Sequence, residues 1–298
     1  MTVSFSFELP THRVERPDEF LTCSAIAELA SSAEEAGFAA CHVTDHPAPD
    51  GKWLDVGGHH AFDPFVALTA AATATSTLRL LTNVYIAAYR NPFLSAKSVQ
   101  SLDVVSGGRL ILGTAAGYLK PEFAALGVDF DERNDLFDEA LDVMVAVWAG
   151  GDVAREGRHF RARGVRMAPA RTPRPPIWIG GNSTRSIRRA VSSFEGWAPF
   201  GTAGYGAASR TADISGVDDL VARIDVARRL ADEIGRSWDL DICYSAGSLG
   251  DAAVSVEERR DLIGRFEEAG VTWLTVSIPG ADRAEVRAGL GSFAEGFL

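Results

Sequence analysis

Short, almost continuous apolar segments alternate with longer amphipathic segments along the whole chain. Eight apolar segments predict strands, at residues 3–9, 38–44, 78–85, 109–114, 176–179, 196–200, 240–244 and 272–278. Nearly unbroken apolar runs are typical of parallel strands that are buried on both faces. Eight strand–helix units without a break in composition predict a single (β/α)8 TIM barrel over residues 1–298. A doubly wound open sheet is the alternative architecture.

Polar residues before prolines mark the starts of two predicted helices. Asp63-Pro64 and Asn91-Pro92 each place a side chain that can accept hydrogen bonds ahead of a proline in the first turn. Both pairs lie between predicted strands, as the helices of a barrel must. The helix starts therefore support the alternating strand–helix pattern.

Three segments are longer than a minimal barrel requires: 45–61, 151–175 and 201–216. The first and third follow predicted strands, at the face where TIM barrels build active sites, and we expect them to cover a substrate. The second is an insertion that resembles a hairpin. Ordinary surface loops are the alternative interpretation of all three.

Composition and charge exclude several classes of protein. The chain has 298 residues, of which 46% are hydrophobic and 23% charged, as in ordinary globular proteins. Its net charge of −11 argues against a nucleic-acid partner, because phosphate backbones bind basic surfaces. No apolar run is long enough to span a membrane, and the N-terminus lacks the pattern of a signal peptide. Three separated cysteines predict reduced thiols in a cytoplasmic protein.

A double-glycine turn is the first candidate binding site. In "PPIWIGGNSTRS", residues 175–186, a predicted strand passes through Gly180 and Gly181 into a helix that starts near Ser183. Backbone N–H groups at such a helix start bind phosphate, and the glycines allow close approach to the backbone. Asn182 and Thr184 could cap the helix or donate further hydrogen bonds. Arg185, Arg188 and Arg189 would add positive charge. A capped helix with glycines that ease packing is the alternative.

Polar and small residues end three other predicted strands. The second ends at Asp45 and His46, which could orient, protonate or bind a ligand. Polar Asn83 interrupts the apolar third strand, which suggests a ligand contact or a backbone irregularity. Gly113 and Gly117 follow in the fourth strand and clear space for a flat molecule. The alternatives are that Asp45 caps the following turn, that His46 is merely exposed, and that the small and polar residues of the other two strands serve tight core packing.

These motifs together resemble the luciferase-like monooxygenase superfamily, and within it the branch that uses the deazaflavin coenzyme F420. The resemblance rests on "TDHP", "DPFVALTAAATATSTLRLLTNV", "YRNPFLSAKSVQSLDVVSGGRLILGTAAGYLKPEFAALGV", "PRPPIWIGGNS" and "EGWAPF". It extends from about residue 38 to residue 200. The long middle segment, with its ordered Asn-Pro, SGGR and GY elements, is the most specific part.

The resemblance implies a flavin-like cofactor in the mouth of a barrel. Its phosphate would lie at 180–184, and its ring beside strands two, three and four. A non-proline cis peptide bond is implied at Asn83-Val84, under the ring. Asp45 and His46 match positions beside the deazaflavin, and Gly117 and Tyr118 are the strand-four candidates for the cofactor site.

The sequence departs from the F420-dependent sugar-phosphate dehydrogenases of this family at two positions. Tyr118 stands where those enzymes have a catalytic glutamate, and Asp50 stands where they have a tryptophan. An acid appears only at Glu122, which we expect to support a loop or helix start rather than to catalyse. These departures disfavour sugar-phosphate oxidation.

The resemblance favours F420 over FMN, because FMN-dependent members more often have Glu-His-His where this chain has Thr44-Asp45-His46. Segment 151–175 holds seven arginines and two acids, and could meet the oligoglutamate tail of F420, unless it is simply a solvated hairpin. We expect hydride transfer between F420 and a small organic substrate, with His46 as acid or base. Asp45 would orient His46 or bind the cofactor. We expect no metal ion, and we expect a homodimer. The alternatives to the F420-dependent function are an FMN-dependent monooxygenase and a non-catalytic flavin- or F420-binding barrel.

Overall fold

Ten strands are present in the computed structural model, which describes residues 3–170, 172–202, 211–245, 247–251 and 253–298. They are β1 (Ser4–Glu8), β2 (Ala40–Val43), β3 (Arg79–Ile86), β4 (Leu110–Ala115), β5 (Val153–Glu156), β6 (Arg161–Val165), β7 (Ile177–Gly180), β8 (Gly196–Ala198), β9 (Asp241–Ser245) and β10 (Trp273–Val276).

Eight of these strands close into a parallel barrel in the order β1-β10-β9-β8-β7-β4-β3-β2. The predicted TIM barrel is therefore confirmed, and the open-sheet alternative is wrong. All eight predicted strands are present, with ends that differ by no more than a few residues. At β8 the strand ends at Ala198, two residues before the predicted end, because Phe200 forms only an isolated bridge with Ser245.

Helices surround the barrel. They are α1 (Pro17–Phe20), α2 (Cys23–Ala36), α3 (Gly51–Asp55), α4 (Pro64–Ala74), α5 (Pro92–Val105), α6 (Lys120–Ala125), α7 (Arg133–Trp148), α8 (Thr184–Ser193), α9 (Val217–Glu233), α10 (Val256–Ala269) and α11 (Arg283–Phe297). The predicted caps are confirmed, since Asp63 accepts hydrogen bonds from the first-turn amides of α4 and Asn91 accepts one from that of α5. No helix within the described ranges is long and apolar enough to cross a membrane.

The insertion at 151–175 forms the predicted hairpin, in which β5 pairs with β6 in the antiparallel sense. Glu139 of α7 holds it against the barrel, because its buried carboxylate accepts hydrogen bonds from the backbone N–H groups of His159 and Phe160 at 2.9 and 3.0 Å. The hairpin thus lies against α7, outside the barrel.

Large apolar side chains fill the barrel interior and leave only its carboxyl end open. The interior cluster consists of Ala40, Leu81, Ile111, Trp178, Ala198, Cys243 and Trp273. The rings of Trp178 and Trp273 meet edge to face, with 5.3 Å between their centroids. Burying an aromatic side chain of this kind contributes about 1.5–3 kcal/mol. This packed interior is the floor on which the site is built.

Candidate active site

A cavity of about 1390 Å³ opens at the carboxyl ends of the barrel strands. Every barrel strand, or the segment after it, contributes to the lining: Glu8, His46, Val84, Gly117, Gly180, Phe200, Tyr244 and Ser277 are examples, in strand order. Pockets for small ligands usually measure about 300–1,000 Å³. This cavity can therefore hold a cofactor and a substrate together.

A backbone irregularity in β3 forms one wall of the cavity. The peptide bond between Asn83 and Val84 is cis, as the family resemblance implied, and the pairing of β3 with β4 shifts register between Thr82 and Tyr85. Asn83 and Val84 both line the cavity. A Cβ on Gly113 would lie 2.1 Å from the carbonyl oxygen of Thr82, so this glycine serves close strand packing at the bulge.

His46 and Glu122 form a hydrogen-bonded pair next to this wall. Nδ1 of His46 lies 3.1 Å from Oε2 of Glu122, whose side chain is completely buried. The same carboxylate accepts hydrogen bonds from the hydroxyl of Tyr89 at 2.7 Å and from the backbone N–H of Ala48 at 2.9 Å. Glu122 therefore supports the 45–61 loop, as expected. It also holds His46, which the sequence interpretation did not foresee.

Protonation states at this pair follow from its hydrogen bonds. Burial by itself raises the pKa of Glu122, but the hydrogen bonds from His46, Ala48 and Tyr89 and the nearby imidazole outweigh it, so the pKa is lowered. A charged carboxylate only accepts hydrogen bonds, so Nδ1 of His46 carries a proton. In the neutral imidazole Nε2 is then the basic nitrogen. His46 lines the cavity with a side chain that is 10% exposed.

Asp45 contacts Arg90, not His46. Its two carboxylate oxygens accept hydrogen bonds from the Arg90 guanidinium at 2.6 and 2.8 Å, and one of them accepts a third from the backbone N–H of Ile86 at 2.9 Å. The guanidinium also lies over the ring of Tyr85. Asp45 ties the end of β2 to the end of β3, and the expectation that it orients His46 is corrected. It lines the cavity, and its contact with a cofactor stays a prediction.

The double-glycine turn, at the end of β7, forms a further part of the cavity wall. Gly180 and Gly181 line it, and α8 starts directly behind them with Ser183 as its N-cap, which accepts a hydrogen bond from the backbone N–H of Ser186. A Cβ on Gly180 would lie 3.1 Å from Val84, and Gly181 has a φ of 109°, which disfavours any side chain. The turn leaves backbone without side chains at a helix N-terminus, a cradle that suits a phosphate, but the N–H of Gly181 itself donates to the carbonyl oxygen of Ala198 at 3.2 Å.

Two other residues predicted for the cradle do not line the cavity. The side chain of Asn182 is buried, where it donates to the carbonyls of Phe200 and Ala212 and accepts from the N–H of Phe200. Thr184 is exposed in the first turn of α8. The backbone N–H of Asn182 donates to the hydroxyl of Thr211 at 3.2 Å and is not available to a phosphate, whereas Thr184 would bind one through its backbone N–H.

The positive charge expected at the cradle is largely neutralised. Arg185 and Arg189 line the cavity, but both contact Asp138, with Nη2–Oδ2 distances of 2.8 and 3.0 Å. Arg188 is exposed and does not line the cavity. The helix N-terminus rather than free arginine charge is therefore the main attraction for an anion here.

Five of the seven arginines of the insertion are also paired with acids. Arg155, Arg158, Arg161, Arg166 and Arg174 each lie within hydrogen-bonding or salt-bridge distance of a carboxylate. None of the described residues of the insertion lines the cavity, and Arg171 lies outside the described residues. The basic stripe read from the sequence is thus not a surface of free positive charge. Its contact with a cofactor tail stays a prediction.

Gly117 and Tyr118 lie in the cavity wall after β4. Gly117 has a φ of 82°, and a Cβ there would lie 2.8 Å from Ile86, so a glycine is required. The ring of Tyr118 faces His46 edge-on, with 6.2 Å between centroids. The 45–61 loop supplies an indole despite Asp50, because the ring of Trp53 in α3 lies 4.5 Å from that of His46.

Glu8 and His42 form a polar patch where β1 and β2 meet the cavity. Nδ1 of His42 lies 3.0 Å from the hydroxyl of Ser6, and burial lowers the pKa of this imidazole to about 4. Ser277 donates a hydrogen bond to Glu8. His42 is therefore a neutral, polar part of the cavity floor near pH 7.

A family model described as luciferase-like monooxygenase matches residues 3–238 of the chain. The match covers the barrel from β1 to the end of α9, including every site element described above except β9 and β10. The chain belongs to this family.

Relatives with known cofactors are of two kinds. The F420-dependent hydroxymycolic acid dehydrogenase of Mycobacterium tuberculosis (strain ATCC 25618 / H37Rv) is 30% identical over 183 residues, which are 60% of this chain and 49% of that protein. An F420-dependent secondary alcohol dehydrogenase, in complex with an F420-acetone adduct, superposes with a TM-score of 0.79 and 18% identity, covering 99% of this chain and 98% of that one. The oxygenating constituent of 3,6-diketocamphane monooxygenase from Pseudomonas putida, with FMN, superposes with a TM-score of 0.73 and 16% identity, covering 100% and 98%. The structural similarities establish the fold.

Several site residues were not predicted from the sequence. Arg90, Tyr89, Trp53 and His59 all take part in the geometry described here, and none carried a motif of its own. One signal was present: the adjacent Gly57 and Gly58 mark a place where backbone must approach another group closely.

Proposed function

We propose that this protein is an F420-dependent oxidoreductase that transfers a hydride between the deazaflavin and a small organic substrate. The observation that carries the proposal is the His46–Glu122 pair, which presents one basic nitrogen to a cavity bounded by the Asn83-Val84 cis bond. Hydride transfer to or from a carbon that bears oxygen requires a group that moves a proton on and off that oxygen. His46 is built for this role.

The residues of the cavity fit the cofactor in two places. The bare backbone at Gly180 and Gly181 can hold a phosphate at the start of α8, with the hydroxyl of Ser183 nearby. Asn83 and Val84 offer an exposed backbone and a small apolar surface for a flat ring. When bound, F420 supplies the two-electron centre of the reaction.

The protein moves the proton and excludes water. In the oxidation of an alcohol, Nε2 of His46 accepts the hydroxyl proton, and the Glu122 carboxylate stabilises the imidazolium that forms. Trp53 covers one side of His46 and shields it from solvent. In the reverse direction, the same nitrogen returns the proton to a carbonyl oxygen. Secondary alcohols and their ketones are the first substrates to test, since a structural neighbour is a secondary alcohol dehydrogenase.

Binding titrations with F420 and FMN side by side test the proposal. We expect F420 to bind more tightly, with a change in its fluorescence, and to be reduced by at least one secondary alcohol in the absence of oxygen. Micromolar FMN binding without F420 binding would favour an FMN-dependent monooxygenase. Binding of F420 without any turnover across the alcohol panel would favour a binding protein. The homodimer also stays a prediction, which sedimentation of the purified protein tests.

A further inference from the structure

Three histidines lie in a row along one side of the cavity. The ring of His46 is 5.1 Å from that of His59, centroid to centroid, and the ring of His59 is 6.4 Å from that of His12. The row runs from a side chain that is 10% exposed, at His46, to one that is 35% exposed, at His12. It therefore connects the buried base with solvent.

The loop after α3 is shaped to place His59 in this row. Gly57 has a φ of 100°, and a Cβ on Gly58 would lie 2.5 Å from the ring of Trp53 and 2.6 Å from its carbonyl oxygen. The backbone N–H of Gly58 donates to the same carbonyl at 2.9 Å. The two glycines thus pack the chain tightly over Trp53 and bring His59 to within 5.4 Å of the indole ring.

The hydrogen bond made by His59 sets which nitrogen can accept a proton. Nδ1 of His59 lies 2.9 Å from the backbone carbonyl oxygen of His60, which can only accept, so Nδ1 carries the proton. Nε2 is therefore the free, basic nitrogen. The pKa of His59 is lowered, chiefly by burial. The hydrogen bond to the His60 carbonyl and the nearby Glu8 oppose this effect, and His46 and His12 add to it. A proton that reaches His59 is consequently released again easily.

Other nearby groups are unsuited to carry the proton away. Glu122 is completely buried, and its hydrogen bonds to Ala48 and Tyr89 lead to no exposed acceptor. His42 is buried, and the lowering of its pKa to about 4 keeps it neutral near pH 7. Asp45 is held by Arg90. Among the described groups around His46, His59 is the one with a free basic nitrogen and access to solvent.

We propose that His59 is a proton shuttle that exchanges the proton of His46 with solvent. The proposal rests on the function proposed above. After the substrate hydroxyl has given its proton to His46, the N–H bond at Nε2 of His46 breaks as one forms at Nε2 of His59. That second bond then breaks as the proton passes to water or to His12. Only a proton moves in this step, and the reverse order loads His46 when a carbonyl is reduced.

Turnover in solutions of different buffer strength tests the shuttle in the F420-loaded enzyme. We expect His59→Gln to lower kcat by about tenfold or more in dilute buffer, since proton transfer by a positioned group contributes at least this much. Added imidazole, which can carry the proton instead, should restore most of the loss. The matched control is His60→Gln, because His60 is an exposed neighbour that does not line the cavity. Unchanged kcat in His59→Gln, or a raised KM without rescue by imidazole, would overturn the proposal.

A second measurement needs no cofactor. Nitrogen-15 NMR of the imidazoles in the cofactor-free protein should show His59 with its proton on Nδ1 and Nε2 unprotonated at neutral pH. A proton on Nε2 would overturn the shuttle, whatever cofactor the enzyme uses. If the wild-type protein fails to turn over F420 while His59 shows the expected tautomer, the proposed function fails and the geometry of the row stands.

Discussion

Replacing Glu122 with glutamine changes one atom at the centre of the site. Oε1 can keep its hydrogen bond from the backbone of Ala48, but an amide NH2 then replaces Oε2 and faces two donors, His46 and Tyr89. His46 can relieve the conflict by moving its proton from Nδ1 to Nε2. The imidazole would then present a donor to the cavity where the wild-type protein presents a base.

The cost of Glu122→Gln follows from these contacts. A hydrogen bond to a charged group contributes about 1.5–3 kcal/mol, so two lost bonds give about 3–6 kcal/mol as an upper limit. A change of tautomer at His46 restores one neutral bond, worth about 1 kcal/mol. We therefore expect the free energy of unfolding to fall by about 2–5 kcal/mol at pH 7. We expect kcat to fall by about 10²-fold or more, as for loss of a general base.

The stability loss should depend on pH in a defined direction. The pKa of Glu122 is lowered in the folded protein, so its stabilising effect is present above the unfolded value of about 4.3 and is lost as the pH falls through the folded value. The difference between the wild-type protein and Glu122→Gln should shrink on acidification below about pH 4. Urea unfolding at several pH values measures it.

Glu139→Gln is a matched control for this experiment. Glu139 is also a buried glutamate that accepts two backbone hydrogen bonds, but it holds the β5–β6 hairpin and does not line the cavity. The Glu139→Gln protein should lose stability, while its kcat and the tautomer of His46 stay unchanged. If Glu122→Gln retains wild-type turnover with the proton of His46 still on Nδ1, the reasoning about the pair is refuted.

Three further predictions address the rest of the cavity. Gly181→Ala should weaken F420 binding at least about tenfold, because a Cβ at its φ of 109° would lie 2.8 Å from the hydroxyl oxygen of Ser186 and displace the turn, at a cost of about one charge-assisted hydrogen bond to the phosphate. Gly37→Ala, at a similar φ of 94° but outside the cavity, should cost only stability, and calorimetric titration with F420 would contradict the cradle if both variants bound alike. Asp45→Asn should lower the free energy of unfolding by about 2–4 kcal/mol, because it leaves the Arg90 guanidinium partly unpaired. A loss of turnover as large as that of Glu122→Gln would show that Asp45 takes part in the reaction. His42 has a folded pKa of about 4, below its unfolded value, so on acidification it remains neutral while the unfolded chain takes up a proton. This group should therefore lower the free energy of unfolding by about 3 kcal/mol between pH 7 and pH 4. His42→Gln should remove that part of the pH dependence in urea unfolding.

The barrel could be predicted from the sequence because its strands are buried on both faces. Nearly continuous apolar runs such as Ile177 to Ile179 leave few other structures for the chain, and the capping pairs Asp63-Pro64 and Asn91-Pro92 fix helix starts locally. The strand ends shifted by a residue or two, because hydrogen-bond pairing with neighbours decides them and apolar character does not.

The site was only partly predictable, because its decisive contacts join distant parts of the chain. His46 was identified from its place at a strand end, but its partner Glu122 is 76 residues away. The carboxylate next to it in sequence, Asp45, turns instead toward Arg90. Adjacent residues at a strand end point in different directions, so sequence neighbours are poor guides to hydrogen-bond partners there.

Charge was the property that the sequence predicted least well. The seven arginines of 151–175 and the three after the glycine turn suggested free positive surfaces. In the folded chain, Asp138 pairs with Arg185 and Arg189, and acids of α7 pair with Arg155 and Arg158. A count of charges in a segment omits the opposite charges that the fold brings to it from elsewhere.

Anaerobic single-turnover reduction of F420 by secondary alcohols, in the wild-type protein and in His46→Ala, tests the central claim most directly. The account predicts reduction by the wild-type protein and a rate about 10²–10⁴-fold lower in the variant. The affinity for F420 should change by no more than about tenfold, since a single hydrogen bond contributes about 1 kcal/mol. A variant that reduces F420 at the wild-type rate, or a wild-type protein that binds FMN and not F420, would contradict the account.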